Sequence, residues 1–292
     1  MASRERLRLS RGARTTAAVL ERLVPALPTA LDVPITELIG TIAYLAAPAA
    51  RAAVRANLAV VAPDRPKRER LVRKTFVFQV RNYLETFRLV RWSAERVIAS
   101  VEVSGWEHFL AARNRAAGGA VVMASAHFGP VPLSGQYLLA RGYAVTLPIE
   151  PETTALARAL NHARTSMGLR LVETDSAIGI GRVLRQEGVL GLLVDRAVTG
   201  VGERVPFFGR EALLPSAHVA IALRTGAPLL PAFTRREGRL LVATIEPPLE
   251  LTRTGDHAAD VRRGVRQFAS VMERHIRMAP EQWSVFEAIW ER

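Results

Sequence analysis

The sequence has no cysteine, only 6 histidines, and just two lysines, Lys67 and Lys74, among its 40 basic residues. Without cysteine there is no disulfide framework, thiolate nucleophile, Cys-ligated zinc or iron–sulfur cluster. Long apolar runs are also scarce. The most apolar stretch, residues 38–50 (LIGTIAYLAAPAA), lies between Glu37 and Arg51, contains Pro48 and falls short of the ~20 residues that a spanning helix needs. The first twenty residues lack the apolar segment and small-residue cleavage site of a secretory signal, and Glu5 interrupts them. No Walker A sequence, Gly-x-Ser-x-Gly elbow or His-Glu-x-x-His spacing occurs. Gly179-Ile-Gly181 and Gly200-Val-Gly202 lack the third glycine of a dinucleotide fingerprint.

What remains is a globular composition, with 49% hydrophobic and 23% charged residues in a 292-residue chain. That length suits two domains, or one with an appendage. The net charge of +13 is carried by arginine, whose planar guanidinium suits bidentate contact with phosphates and carboxylates. It is unevenly spread. Residues 1–100 hold 18 basic against 8 acidic side chains, and residues 101–292 hold 22 against 19. The first third therefore calls for an anionic partner, either nucleic acid or a membrane surface. The basic residues at 65–74 carry no interleaved aromatics, which disfavours nucleic acid. Residues 38–50, followed by Arg51, Arg55 and that basic run, read as a helix lying in the membrane interface or as a core helix beside a solvated basic face.

Apolar positions at helical spacing through residues 75–96, and prolines at 25, 28, 34, 48, 63 and 66, predict three to five helices before residue 100. Beyond Gly105 the pattern changes to short apolar runs at 120–126, 143–149, 169–172, 189–195, 228–233 and 240–245, which read as buried strands. Helical stretches lie between them at 152–166, 176–188 and 216–226, and a last helix runs from about Asp256 to Met278. The expected fold is α/β: a mostly parallel central sheet flanked by helices, with one antiparallel pair at 228–245 turning at residues 235–238. It divides at about residue 100 into a helical, membrane-associating N-terminal region (1–100) and an α/β domain (101–292).

Ligands in such sheets sit beyond the carboxyl ends of the strands. His127 stands there, after the run 120–126, with Gly129 beside it to admit a substrate. It reads as a proton acceptor or as a structural histidine. Asp195 closes the run 189–195, where it can orient an imidazole, hold a substrate or cap the loop that follows to residue 211. Asp256, His257 and Asp260 read better as a helix start than as metal ligands, and no metal site is expected.

The ordered set of apolar N-terminal segment, Asn57-Leu58, His127-Phe128-Gly129, Arg164 with Gly168, Asp195, Val205-Pro206-Phe207-Phe208-Gly209, Arg224-Thr225-Gly226-Ala227-Pro228 and Pro280-Glu281-Gln282-Trp283 resembles the late acyltransferases of lipid A biosynthesis. The resemblance extends to their relatives, including the phosphatidylinositol mannoside acyltransferases, within the lysophospholipid acyltransferase superfamily. The resemblance implies a peripheral enzyme at the cytoplasmic face of the cell membrane. It would move a fatty acyl group from an acyl carrier protein or coenzyme A thioester to a glycolipid or phospholipid hydroxyl, with that thioester as co-substrate and no cofactor. His127 would act as general base. Arg164 and Arg196 are candidate contacts for anionic donor or acceptor groups, and Phe207, Phe208 and Gly209 would line the substrate groove or, in the plainer reading, belong to the core.

The resemblance also calls for an acid at the fifth position after the histidine, where this chain has Pro132. No acidic residue occurs between Ala126 and Pro148. Either Asp195, Glu150 or Glu203 supplies the carboxylate, or the chain is a lipid-binding relative with impaired catalysis.

Overall fold

The computed structural model describes residues 11–64, 66, 68–150, 154–173, 183–184, 188–198, 200–238 and 240–290. The helix expected at 176–188 lies largely outside them. Ten helices and nine strands are present among the described residues. The first hundred residues supply α1 (Arg11–Ala26), α2 (Asp32–Ala46), α3 (Pro48–Val61), α4 (Arg68–Leu89) and α5 (Ala94–Ala99). Then follow β1 (Val101–Ser104), α6 (Trp106–Arg115), β2 (Val121–Ser125), α7 (Val131–Ala140), β3 (Val145–Ile149), α8 (Ala155–Ser166), β4 (Arg170–Glu173) and β5 (Val189–Leu193). The chain finishes with β6 (Glu203–Phe207), β7 (Arg210–Leu214), α9 (Ala217–Thr225), β8 (Leu229–Glu237), β9 (Leu240–Ile245) and α10 (His257–Met278).

Seven strands form one sheet in the order β1-β9-β8-β2-β5-β3-β4. All neighbours run parallel except β8 and β9, which pair antiparallel as the sequence pattern predicts. The six apolar runs all became strands of this sheet. Two parts of the sheets differ from expectation: Val101–Ser104, outside the six runs, form the edge strand β1, and the segment 196–211, read as a loop, supplies most of the hairpin β6–β7, a separate two-stranded sheet. Its turn is Phe208-Gly209, both with positive φ (52° and 74°). Alternation along β2 serves the two faces of the main sheet. Val122 and Ala124 join a cluster with Phe207, Phe268 and Trp283, whereas Val121 and Met123 join one with Phe109, Leu138 and Val189.

The N-terminal helices pack on this core through α4, which touches α7, α8 and the turn at residues 280–282. The apolar stretch also runs differently from its first reading. It is an 18-residue segment, Thr29–Ala46, long and apolar enough by composition to cross a membrane, and Pro48 opens the next helix instead of interrupting this one. Its two charges are compensated by α4: Asp32 pairs with Arg88, and Glu37 with Arg73 at 2.5 Å. Gly40 lets the helices approach, since a Cβ there would lie 2.6 Å from the Val77 Cα. The opposite stripe of α2 is uncovered, with Leu38, Ile42 and Leu45 between 56% and 64% exposed.

His218 on α9 is wholly buried against Phe268, and neither ring nitrogen has a hydrogen-bond partner among the described residues. Burial pushes its pKa down from 6.5 to about 3. The native state therefore leaves this ring neutral where the unfolded chain protonates it. Stability is complete above the unfolded value and falls as pH drops through it, by about 1.4 kcal/mol per pH unit from this residue. Thermal melts between pH 7 and pH 4.5 should show a steep decline in wild type and a flatter one in His218→Leu.

Candidate active site

The site follows from the pairing of two parallel strands. Ser125, the last residue of β2, stands opposite Leu193, the last of β5, and the ladder continues with the Val194 N–H donating to the Ser125 carbonyl at 2.9 Å. Two residues further on, each chain delivers a polar side chain: His127 from β2 and Asp195 from β5. The Asp195 Oδ1 lies 2.7 Å from His127 Nδ1, and Oδ2 accepts the His127 backbone N–H at 2.9 Å and the Trp283 indole N–H at 2.8 Å. A carboxylate only accepts, so Nδ1 carries the proton and Nε2 is left with its lone pair.

Asp195 is fully buried, while the His127 side chain is 28% exposed. Burial alone would raise the carboxyl pKa; the His127 charge and the hydrogen bonds from His127 and Trp283 outweigh it and hold the value below the ordinary one. The other two candidate carboxylates are elsewhere. Glu150 lies 3.6 Å from Arg196, and Glu203 pairs with Arg262 at 3.0 Å.

The loop bearing His127 is clasped by the segment 282–284 and by α4. The Ser284 N–H donates to the His127 carbonyl at 2.7 Å, the Gly129 N–H donates to the Gln282 carbonyl at 2.9 Å, and the Asn82 amide on α4 donates to the Gly129 carbonyl at 3.0 Å. Phe128, completely buried, bridges to Trp283. What crowds Gly129 is strand β8 and not the space for a substrate: φ is 65°, and a Cβ would lie 1.9 Å from the Thr234 carbonyl oxygen.

An apolar cavity of about 170 Å³ opens beneath α7, on the face of the sheet opposite the β6–β7 hairpin. Met123, Leu138, Val145, Leu147 and Val189 line it, and Ser125 and Val131 set its wall at either end of the His127 loop. Pro132, at the position where an acid was expected, is among the residues that line this cavity, in the first turn of α7. Gly191 keeps the space open, because a Cβ there would lie 2.5 Å from a Leu147 methyl. Arg164, in the last turn of α8, also lines the cavity; it donates to Asn161 at 2.9 Å, and burial lowers its pKa.

The remaining predicted residues are not gathered here. Arg196 ion-pairs with Glu287 at 2.5 Å as well as with Glu150, so its charge is largely met within the chain. Phe207 is buried in the opposite cluster, stacked on Trp290 at 5.6 Å. Phe208 packs under Arg277 and Gly209 completes the hairpin turn, so none of the three borders the cavity. Asp256 caps the start of α10 by accepting the Ala259 N–H at 3.0 Å. Sequence reasoning did not single out Trp283, Gln282 or Asn82 as site residues. Polar side chains in otherwise apolar or helical contexts were the available signal.

Comparison with known proteins places these features in context. The sequence model of the bacterial lipid A biosynthesis acyltransferases matches residues 3–292. A phosphatidylinositol mannoside acyltransferase of Mycobacterium tuberculosis is 28% identical over 218 residues, covering 72% of this chain and 67% of that protein. One from Mycolicibacterium smegmatis is 26% identical over 245 residues, covering 81% and 78%.

Replacing Trp283 by Phe removes one donor from a buried carboxylate, with an expected stability loss of about 1–3 kcal/mol. The same change removes one of the hydrogen bonds that hold the Asp195 carboxyl below its ordinary pKa, so acid unfolding of Trp283→Phe should begin at higher pH than that of wild type. Gly129→Ala, which combines strain with a backbone clash, should lower the melting temperature more than Trp283→Phe does.

Proposed function

We propose, for a chain that belongs to the bacterial lipid A biosynthesis acyltransferase family and is an acyltransferase of lipid biosynthesis, a transfer in which His127 is the general base and Asp195 its orienting carboxylate. The observation that carries this reading is the short contact of 2.7 Å between His127 Nδ1 and a buried Asp195, beside an apolar cavity. The acceptor named for the relatives, a phosphatidylinositol mannoside, suggests a glycolipid or phospholipid hydroxyl as nucleophile. The donor is an acyl thioester of acyl carrier protein or coenzyme A, and no other cofactor is invoked.

A hydroxyl is a weak nucleophile at neutral pH. In the proposed step Nε2 removes its proton as the oxygen attacks the thioester carbonyl, and the imidazolium then returns that proton to the departing thiolate. The ester forms as the carbon–sulfur bond breaks, with no covalent enzyme intermediate. Asp195 fixes the tautomer and offsets the imidazolium charge, by the logic of the acid in a catalytic triad. Pro132 thus does not deprive the histidine of a carboxylate, and the reading as a catalytically impaired lipid binder loses its motive.

The cavity suits the acyl chain. It is lined mostly by side chains without polar atoms, and it reaches the histidine loop through Ser125. The uncovered stripe of α2, together with the exposed Val19 and Leu23 of α1, suits helices lying in the interface of an anionic membrane. The other side of α2 is packed on α4 by ion pairs and at Gly40, which favours lying on the membrane over crossing it. The proposed location is the cytoplasmic face, with α1 and α2 as the peripheral anchor.

Transfer from a labelled acyl thioester to a membrane-lipid extract should fall by about 10²–10⁴-fold in His127→Ala, with liposome binding retained. Equal transfer by the two proteins would refute the role of His127. Filling the cavity with Gly191→Val should shift the preferred donor to shorter acyl chains, read by competition between donors of different length.

A further inference from the structure

Strand β8 outruns its neighbour β2 and carries its last residues past the His127 loop to α4. Arg236 lies on the same face of β8 as Thr234, which lines the apolar cavity two residues earlier. Its guanidinium turns to α4 and ion-pairs with Glu85. Arg81, one helical turn before, donates to the same oxygen of Glu85 at 3.1 Å. One carboxylate therefore serves two guanidinium groups, and no second carboxylate pairs with either among the described residues. The side chains are 7% exposed for Arg236, 26% for Arg81 and 21% for Glu85. Burial lowers the Arg236 pKa, Glu85 opposes that shift, and the repulsion of Arg81 adds to it. An uncompensated cation in so confined a place is costly unless an anion visits it.

The pair is tied to the reacting centre by backbone contacts. Asn82, next to Arg81, holds the Gly129 carbonyl. Gln282 accepts the Arg236 N–H at 2.8 Å and donates to the Arg236 carbonyl at 2.8 Å, while its own carbonyl accepts from Gly129. Trp283, the next residue, holds Asp195. On its other side α4 packs against α2, the helix with the uncovered apolar stripe. A group bound at the two arginines is thus near both the histidine loop and the surface that suits a membrane.

We propose that Arg81 and Arg236 form a subsite for a phosphodiester, that of the acceptor lipid, with Glu85 holding the two forks in place while the subsite is empty. This rests on the acyltransferase reading and adds to it the group by which an acceptor is recognised. Guanidinium forks match phosphate oxygens bidentately, and a phosphodiester restores charge balance to the cluster. The placement on α4 beside α2 favours a lipid headgroup over the phosphates of a soluble donor.

Binding measured by titration calorimetry tests this without any need for turnover. The probes are dihexanoyl phosphatidylinositol, dihexanoylglycerol and coenzyme A, added to full-length wild type, Arg81→Gln and Glu85→Gln, each checked for folding by circular dichroism. Arg81→Gln should weaken the phosphatidylinositol at least tenfold and leave dihexanoylglycerol and coenzyme A within twofold. Glu85→Gln, which adds net positive charge, should tighten the phosphatidylinositol. Saturable binding that is absent in wild type, unchanged in Arg81→Gln, or lost for coenzyme A instead would overturn the proposal. A parallel transfer assay separates the two readings: turnover by wild type with unchanged affinity in Arg81→Gln removes the subsite alone, and lack of turnover with a tenfold difference in affinity removes the enzymatic reading alone.

Discussion

The register between β2 and β5 sets the geometry of the candidate site. Because Ser125 stands opposite Leu193 in a parallel ladder, the residues two steps beyond each strand end arrive side by side, and these are His127 and Asp195. Parallel strands in the middle of a sheet are buried on both faces, so a slip of the ladder by one residue would swap the side chains of the two clusters and spoil the packing of both. The core energy that fixes the register thereby fixes the distance between imidazole and carboxylate. No flexible loop has to find that geometry.

A second layer of constraint comes from the ends of the chain. The segment at residues 282–284 gives a carbonyl to Gly129, an indole N–H to Asp195 and a backbone N–H to the His127 carbonyl. From the other end, α4 reaches the same loop through Asn82. The helices that suit a membrane surface and the strands that carry His127 and Asp195 therefore meet at one turn of backbone. The apolar cavity begins where that turn ends, under Val131 and Pro132. In this arrangement an acyl chain, a proton acceptor and an anionic headgroup each have a surface suited to them.

Much of this is readable in the sequence, for a physical reason. Strands buried on both faces appear as continuous apolar runs, so all six runs were found and their alternation with helices gave the parallel sheet. The hairpin β6–β7 was hidden because Arg204, Pro206 and Glu211 face outward and its turn is Phe208-Gly209, without the Asn-Gly pair that usually signals one. Phe207 and Phe208 looked like groove residues, but the hairpin carries them to the opposite side of the sheet from the cavity. Asp195 was named beside Glu150 and Glu203, and counting two residues past each strand end separates it from them. Trp283 is 88 positions from the carboxylate it holds, and no local pattern announces such a contact. The apolar segment was placed too late, by nine residues at its start and four at its end, because compensation of Asp32 and Glu37 by α4 is invisible in one dimension.

The central claim is that Asp195 takes the part of the acid missing at position 132. It is tested most directly by the turnover rate of acyl transfer in Asp195→Asn, with folding verified by thermal melting. By analogy with the acid of a catalytic triad, the rate should fall by on the order of 10⁴-fold while the affinity for donor and acceptor stays close to wild type. A folded Asp195→Asn protein that retains more than a tenth of the wild-type rate would contradict the account.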